Sequence, residues 1–478
     1  MRLTSLDPRW RVALAVAAVA LVVLGWWIVR SPFVGLADNG DWGRYACPVG
    51  LRPDGRFADL PATIAHGSCP EYDYRSSFVT FLVAAKAIDG HGGPVHLQHL
   101  QWFWVAVVAA GWAWFGFELT GATKRPGRSF AVVAALVVVS SDVAFSSYFA
   151  SLYGEALVIA LLPALGAAVL RLARAPRLEV APAVVAGLVV VAITMAKPSL
   201  ALVAPTFVAA VCVARRGTLT ARGIAYAAVA ALVLFVASVG LIADPEFTDW
   251  NAYNLAFTVV APESGNAHAA LVDMGVQPKH ADELQRFVGV PYGPKASAAW
   301  DRAPLTDFRS QGRAGVIEAL ATRPKVWVRM FRRGTEAMGD AHLGYLSNVP
   351  GQGRAEGDVQ LADRLHPAQL VLAPVSHAWF LVPVAWVLLG VVLVRRLWPR
   401  GDPDRSALAA LGLFTLVGAA TQMLLALGDG YYELAKHLVV ADEGTALLVT
   451  GLVVAAAWDL VARLRRRGGD PAPGRGTT

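Results

Sequence analysis

The chain of 478 residues is 56% hydrophobic and only 16% charged, and its formal net charge at neutral pH is +7. Soluble domains are about 45–50% apolar and about 25% charged, so this composition excludes an ordinary soluble protein and a disordered chain. Three cysteines are too few to stabilise a disulfide-rich scaffold of this length. The composition therefore predicts an all-α integral membrane protein with many spans.

Ten apolar stretches approach the roughly 20 residues that a membrane-spanning helix needs. The first has no small-residue cleavage site after it, so we interpret it as a retained anchor. The stretch 181–214 is too long for one helix and is interrupted by Lys197-Pro198, which indicates a helical hairpin with two short arms. The ten stretches lie near 12–29, 99–119, 129–148, 154–170, 181–196, 199–214, 223–243, 377–394, 406–427 and 442–462.

Every second connection between these stretches is rich in Lys and Arg. Half of the 42 basic residues lie in the N-terminal segment, four short loops and the C-terminal tail. Basic loops stay on the cytoplasmic side of a membrane, so both termini are predicted to be cytoplasmic. The positive charge is then a signal of topology, with the lipid bilayer as the partner, and we expect no nucleic acid to bind.

This topology divides the chain into four parts. The first outer loop, 30–98, contains an apolar stretch at 78–88 that is too short to span and is predicted to lie as a helix on the outer interface. The second outer loop has helical patterns, and its segment 322–337 has the composition of a helix lying on anionic head groups. The parts are a membrane region with seven spans at 1–243, a mainly helical extracytoplasmic region at 244–376, a second membrane region with three spans at 377–462, and a disordered Arg-rich cytoplasmic tail at 463–478.

The polar residues near the span ends collect on the predicted outer side, whereas the inner loops contain little except Arg. A channel or transporter would instead place polar residues near the middle of its spans. Carboxylates can serve as general bases, and Lys, Arg and His can hold a phosphate, so this set suits a lipid-phosphate-linked substrate. Its members are Asp38, Asp41, Asp142, Tyr153, Glu155, Lys197, Asp429, Tyr431, Tyr432, Glu433, Lys436 and His437.

Four motifs in this set resemble the GT-C superfamily of polytopic glycosyltransferases. The resemblance is greatest to bacterial cell-envelope glycan transferases, and it covers roughly 12–243 and 377–462. It implies a GT-C-like fold with about ten transmembrane helices in the bacterial plasma membrane, and an extracytoplasmic active site. The motifs are Asp38-Asn39-Gly40-Asp41-Trp42, Tyr153-Gly154-Glu155, Ala196-Lys197-Pro198-Ser199 and the segment Glu433–His437.

In such enzymes an Asp in the first loop is the catalytic base. The usual Asp-Glu pair is replaced here by Asp-Asn-Gly-Asp, so either Asp41 or Asp38 is the candidate. We favour Asp41, because the Trp42 and Arg44 that follow it can stack on a sugar and pair with a phosphate. A plain turn is the competing interpretation of both aspartates. The candidate substrate- and phosphate-binding residues are Arg44, Tyr153, Glu155, Lys197, Glu433, Lys436 and His437.

Structural interpretations of these binding residues also stay open. A first-turn acid favoured by the helix dipole would explain Glu155, an interfacial lysine would explain Lys197, and a solvated turn would explain Lys436 and His437. Cys47 and Cys69 would lie in an oxidising compartment, which favours a disulfide. No metal site or cofactor is predicted from ligand spacing, although Asp38, Asp41 and Glu155 could hold a divalent cation.

The sequence therefore predicts a membrane glycosyltransferase that moves a sugar from a polyprenyl-phosphate donor to a cell-envelope glycan or lipid acceptor. Inversion at the anomeric carbon is implied by the resemblance. One alternative is a ligase or polymerase of lipid-diphosphate-linked glycans, for which Arg44, Arg75 and Lys197 would supply cations. The other is a non-enzymatic transporter of lipid-linked sugars.

Overall fold

The structure, a computed structural model, is mostly helical. Its last helix ends at Gly468, six residues past the predicted end of the final span. The prediction of a disordered tail at 463–478 is therefore wrong for 463–468, while 469–478 lie outside the described residues. The described residues are 6–30, 33–53, 60–69, 74–89, 93–175, 177, 180–215, 220–242, 245–293, 303–339, 343, 346–348, 366–397 and 402–468.

The N-terminal half contains the first group of apolar helices. The first begins where Pro8 follows Asp7, whose side chain accepts a hydrogen bond from the Arg9 N–H and caps the free end of the helix. Short 3₁₀ turns lie at Cys47–Val49, Ser147–Ala150 and Pro198–Leu200. The α-helices are α1 Pro8–Val29, α2 Trp42–Ala46, α3 Ser77–Asp89, α4 Leu97–Thr123, α5 Pro126–Ser140, α6 Val143–Ser146, α7 Glu155–Arg174, α8 Val180–Thr194, α9 Val203–Ala214 and α10 Ala221–Ile242.

The C-terminal half continues with shorter helices and then three long apolar ones. A π-helix at Leu255–Val260 and 3₁₀ turns at Gln285–Phe287 and Trp379–Leu381 connect some of them. The α-helices are α11 Pro245–Asn254, α12 Ala261–Glu263, α13 Ala267–Asp273, α14 Pro278–Leu284, α15 Ala303–Ala321, α16 Pro324–Met338, α17 Pro367–His377, α18 Val382–Leu397, α19 Pro403–Gly428 and α20 Leu434–Gly468.

Each predicted span contains a helix, but among the described residues not every one of these helices is long enough for a full span. Among the described residues, seven helices are long and apolar enough to cross a membrane, or eight if α5 and the segment Val143–Ala150, bent by 62° to each other, form one span. The bend arises because the Asp142 side chain accepts from the Ala144 N–H and starts a new helix. The hairpin arms α8 and α9 have only 15 and 12 residues.

Two small antiparallel sheets, which the sequence did not predict, join the loops. In the first, β1 Val34–Leu36 pairs with β5 Leu346–Asn348, so the loop after α1 is held against the second long loop. In the second, the strands are β2 Leu51–Arg52, β3 Thr63–His66 and β4 Val95–His96. A disulfide between Cys47 and Cys69, with Cα atoms 5.6 Å apart, closes the loop beside this sheet.

Three of the predicted inner loops meet at one end of the helix bundle, where ion pairs join them to each other and to the last helix. Asp404 at the start of α19 accepts from Lys124 at 2.9 Å and from Arg174 at 2.7 Å. Asp459 in α20 pairs with Arg128 at 2.9 Å. The candidate site residues lie at the other end of the bundle, in helix starts, turns and loops. The basic loops and the site residues, which the sequence predicts to lie on opposite sides of the membrane, are thus also far apart in the structure.

Candidate active site

The loop after β1 is a tight turn built by Asp38. One oxygen of its carboxylate accepts from the Gly40 N–H at 2.8 Å and from the Trp42 N–H at 3.1 Å, which starts α2. Gly40 has φ of 103°, a conformation that glycine adopts at little cost. Burial raises the pKa of Asp38, and the two backbone hydrogen bonds offset this rise only in part. Asp38 thus has a structural task in the turn, whatever else it does.

Asp41, at the end of the same turn, is held by two cations. Its carboxylate forms ion pairs with the Arg44 guanidinium and the Lys436 ammonium. Burial alone would raise the pKa of Asp41, but the positive charges of Lys436 and Arg44 outweigh it and hold that pKa well below its ordinary value. Asp41 is therefore an ionised carboxylate with its charge shared between two cations.

Lys436 occupies the centre of the cluster. Its side chain is 1% exposed, its ammonium lies 3.0 Å from a Glu433 oxygen, and it lies 4.9 Å from the centroid of the Tyr153 ring. A buried ammonium needs such partners because it has lost its hydration. Glu433 has φ of 52°, in the left-handed region that non-glycine residues rarely occupy. The turn before α20 is thus strained where it presents Glu433 and Lys436 to the first loop.

Tyr153 fixes the first loop against the start of α7. Its hydroxyl donates to the Ala37 carbonyl at 2.7 Å and accepts from the Asn39 N–H at 2.9 Å. Burial raises the pKa of Tyr153, so the hydroxyl keeps its proton. The Asn39 amide in turn donates to Glu433. The motif that the sequence singled out at Tyr153 therefore positions the backbone of the aspartate turn.

Glu155 and Lys197 form the second ion pair of the site, with the ammonium 2.6 Å from a Glu155 oxygen. Glu155 is the first residue of α7, and Lys197 lies in the turn between α8 and α9. A narrow cleft runs between this pair and α20. The polar residues that line the cleft are Glu155, Lys197, Ser199, Gln422, Asp429, Lys436 and His437.

The structure thus brings all nine candidate catalytic and binding residues to one region. They come from the first loop, the start of α7, the hairpin turn and the start of α20, and residues as far apart in sequence as Asp41 and Lys436, 395 positions, are in contact. Asp41 and Glu155, two of the three residues considered as ligands of a divalent cation, form ion pairs instead. Asp41 pairs with Arg44 and Lys436, and Glu155 pairs with Lys197. Of the nine candidates, three are cationic and four are acidic: Arg44, Lys197 and Lys436, and Asp38, Asp41, Glu155 and Glu433.

Sequence reasoning missed several polar residues of this region. Gln422 of α19 donates to the Ser199 carbonyl at 3.1 Å and lines the cleft. Asp442 and Glu443 of α20 are buried, and their carboxyl oxygens have no hydrogen-bond partner among the described residues. The signal in the sequence was a pair of acids inside an apolar stretch, which is costly in a membrane and marks a functional candidate. Asp142, which the sequence did single out, caps α6 and accepts from the Ala368 N–H at 2.9 Å.

A large apolar cavity adjoins the polar cleft. Its volume is about 330 Å³, and it shares the lining residues Val158, Gln422 and Val440 with the cleft. It follows α20 from Val440 to Ala455, about 22 Å of helix at 1.5 Å per residue. The cavity therefore extends from the site into the membrane part of the bundle.

The comparisons with known proteins give one family. A family model described as the YfdI N-terminal transmembrane domain matches residues 114–469, about three quarters of the chain. The matched range includes Tyr153, Glu155, Lys197 and Lys436 but begins after the aspartate turn. No curated protein matches the chain.

The chain is similar to the solved structure of the archaeal oligosaccharyltransferase AglB from Archaeoglobus fulgidus in complex with an inhibitory peptide and a dolichol-phosphate. The similarity covers 96% of this chain and 52% of that one, at 12% sequence identity and a TM-score of 0.40. The chain thus spans about half the length of that protein.

Proposed function

The chain belongs to the family of the YfdI N-terminal transmembrane domain, and from the charges and the cavity at its site we propose that it is a membrane glycosyltransferase. The donor is a sugar linked to polyprenyl phosphate, and the acceptor is a cell-envelope glycan or lipid on the outer face of a bacterial plasma membrane. The observation that carries the proposal is that Asp41 lies between two cations, one of which, Lys436, lines the polar cleft that adjoins the apolar cavity.

The three cations are suited to the phosphate of the donor. Arg44, Lys197 and Lys436 now neutralise carboxylates, and a phosphate that enters the cleft competes for the same N–H groups. Charge-assisted hydrogen bonds from Lys and Arg are the usual way in which proteins hold phosphate. Their positive charge also stabilises the polyprenyl phosphate as it leaves.

The apolar cavity is suited to the lipid chain of the donor. Most of its lining is apolar, with polar side chains only at Thr123, Arg128, Ser129, Thr415 and Gln422. It begins at the cleft that contains Lys197 and Lys436. A molecule with a phosphate at one end and a long hydrocarbon chain matches this combination of polar cleft and apolar cavity. Burial of the chain stabilises the complex by about 25 cal/mol for each Å² of apolar surface.

We assign the general base to Asp41. The ion pairs with Lys436 and Arg44 stabilise its carboxylate and hold its pKa below the ordinary value. A bound phosphate draws these cations away and so raises the basicity of Asp41. The acceptor oxygen then attacks the anomeric carbon, its proton passes to Asp41, and the bond from that carbon to the phosphate oxygen breaks with the electron pair on the phosphate. A single displacement of this kind inverts the anomeric centre.

Binding of polyprenyl phosphate, the leaving group that all such donors share, tests the phosphate site. Lys197→Ala should bind it about tenfold or more weakly, because a hydrogen bond to a charged group contributes about 1.5–3 kcal/mol. Glu155→Gln should bind it at least as tightly as the wild type, because it removes the anion that competes for Lys197. Lys279→Ala, at an exposed lysine of α14, is the matched control and should be unchanged.

The measurement is the dissociation constant of polyprenyl phosphate for the purified full chain in detergent. If Lys197 and Glu155 form only a structural ion pair, both variants lose thermal stability. Lys197→Ala then does not bind polyprenyl phosphate more weakly than Glu155→Gln. That outcome would remove the phosphate site from the proposal.

A transporter of lipid-linked sugars is the second candidate, and it is favoured by one observation. Asp442 and Glu443 lie inside α20, about 12 Å of helix from its first residue, where a transporter needs polar groups. This function predicts that the purified chain moves a labelled lipid-linked sugar across a vesicle membrane without breaking its bond to the sugar. The glycosyltransferase predicts release of polyprenyl phosphate.

A further inference from the structure

A second polar cluster lies on the same side of the protein, where α3 ends and α4 begins. It consists of Asp89, the last residue of α3, and of His96 and His99, which lie at the N-cap and in the first turn of α4. One ligand atom from each of the three residues lies within 4.8 Å of the others. We propose that this cluster is a binding site for a divalent transition metal of the zinc type.

The donor set is that of a zinc site. Two imidazole nitrogens and one carboxylate oxygen are common zinc ligands, and a water completes the tetrahedron when the protein supplies three. With bonds of about 2.0–2.1 Å, two ligand atoms of a tetrahedral zinc are about 3.4 Å apart. The Nδ1 atom of His96 and the Oδ1 atom of Asp89 are 3.4 Å apart. The His99 Nδ1 forms a direct hydrogen bond with the same oxygen, and a bound zinc would replace that hydrogen bond.

Asp89 is already oriented for this role. Its side chain is only 3% exposed, whereas the two imidazoles are about half exposed and open to incoming ions. Its second oxygen accepts from the His96 backbone N–H at 2.9 Å. Hydrogen bonds of this kind hold a carboxylate ligand in place in metal sites. Asp89 therefore already faces both rings, and the His99 imidazole has to move away from Oδ1 for the three ligand atoms to share a metal.

The metal would join two elements that border the proposed active site. Helix α3 packs on the first loop, since the Lys86 ammonium donates to the Val49 carbonyl at 2.7 Å and the Phe78 ring meets the Tyr45 ring edge-on at 5.1 Å. Helix α4 is long and apolar enough to span a membrane. A zinc ion at Asp89, His96 and His99 fixes α3 to α4 and so fixes the surface against which α2 lies. This role is independent of the reaction that the site performs.

The test is zinc binding by the full chain, purified in detergent through a tag without histidine. Zinc is added, excess metal is removed by dialysis, and the metal per chain is measured by mass spectrometry. The wild type and His66→Ala, an exposed histidine of β3 in the same loop, should retain about one zinc per chain. The double variant His96→Ala/His99→Ala should retain none, and Asp89→Asn should bind at least tenfold more weakly in competition with a chromophoric chelator.

Thermal unfolding supplies a second readout that does not depend on catalysis. Zinc should raise the melting temperature of the wild type and of His66→Ala, because a ligand that binds only the folded state stabilises it. It should leave the melting temperature of the double variant unchanged. Zinc retained equally by the wild type and the double variant, or no stoichiometric zinc in the wild type, would overturn the proposal.

Discussion

Asp38 and Asp41 stand three positions apart in one turn, and their surroundings give the two carboxyl groups opposite properties. Burial raises the pKa of Asp38, whereas Lys436 and Arg44 lower that of Asp41. Asp38 uses one oxygen to accept two backbone N–H groups, and Asp41 uses its oxygens for two cations. The turn interpretation thus describes Asp38, and the contacts of Asp41 are those of a residue at a charged binding site.

The replacement Asp38→Asn should leave the melting temperature near neutral pH unchanged or raise it. Asn keeps an acceptor for the Gly40 and Trp42 N–H groups and removes a buried charge. Because folding raises the pKa of Asp38, protonated Asp38 stabilises the fold at low pH, and this contribution is lost as the pH rises through the folded-state pKa.

The difference in melting temperature between Asp38→Asn and the wild type should therefore shrink as the pH falls from about 7.5 to about 4. Over this range Asp38 becomes increasingly protonated in both the folded and the unfolded chain. Thermal unfolding of the two purified proteins across this range checks the prediction. A melting temperature of Asp38→Asn that lies several degrees below that of the wild type near neutral pH would contradict it.

At the scale of elements, the position of the aspartate turn depends on how closely β1 approaches the 3₁₀ turn Ser147–Ala150. A Cβ atom added at Gly35 would collide with the Ala150 carbonyl and would lie 2.7 Å from the Ala150 Cβ. Only glycine fits there without a shift of the strand. Because β1 ends two residues before Asp38, any shift of the strand moves the turn.

Gly35→Ala should therefore lower the rate of the proposed sugar transfer at least tenfold, since a displacement of about 1 Å can cost 10²-fold in rate. Overpacking should also lower the free energy of unfolding by about 1–3 kcal/mol. The control is Gly187→Ala in α8, where an added Cβ meets no atom within 4 Å. Turnover and thermal unfolding are measured together, and equal turnover in the two variants would show that the strand does not position the site.

The elements also show where sequence reasoning stops. Hydropathy predicted a helix in every apolar stretch, and α3 and α16 were predicted as surface helices at 78–88 and 322–337. The pairing of β1 with β5 could not be predicted, because strands of three residues carry no periodicity and their partners are more than 300 positions apart. The bend at Asp142 depends on a capping hydrogen bond, which hydropathy does not record.

At the scale of the whole molecule, the separation of the basic loops from the site residues predicts that the two sets face opposite sides of the membrane. Arg405, 74% exposed at the start of α19, lies at the end with the basic loops, and Asp282, 75% exposed, lies in the second long loop. Cysteines placed at these two positions in a chain with Cys212→Ser should differ in reactivity. A membrane-impermeant maleimide should label Asp282→Cys on intact cells and Arg405→Cys only after the membrane is opened.

The opposite labelling pattern would place the site on the cytoplasmic face and contradict the use of an extracytoplasmic acceptor. The sequence could predict that the site residues lie together, apart from the basic loops, because Arg-rich loops alternate with loops that contain the carboxylates. It could not predict the pairs: Lys436 with Asp41, Lys197 with Glu155, or Asn39 with Glu433. Those contacts depend on helix packing between segments up to 395 positions apart.

The central claim is that Asp41 accepts the proton of the acceptor hydroxyl, and its most direct test is the turnover of Asp41→Asn relative to Asp38→Asn. The assay follows sugar label from a polyprenyl-phosphate donor in membranes with equal amounts of each folded protein, and Asp41→Glu serves as the variant that keeps the carboxylate. We predict that Asp41→Asn loses about 10²–10⁴-fold in rate, that Asp38→Asn stays near wild type, and that Asp41→Glu recovers part of the loss. An Asp41→Asn protein that binds polyprenyl phosphate normally and transfers the sugar at nearly the wild-type rate would contradict the claim.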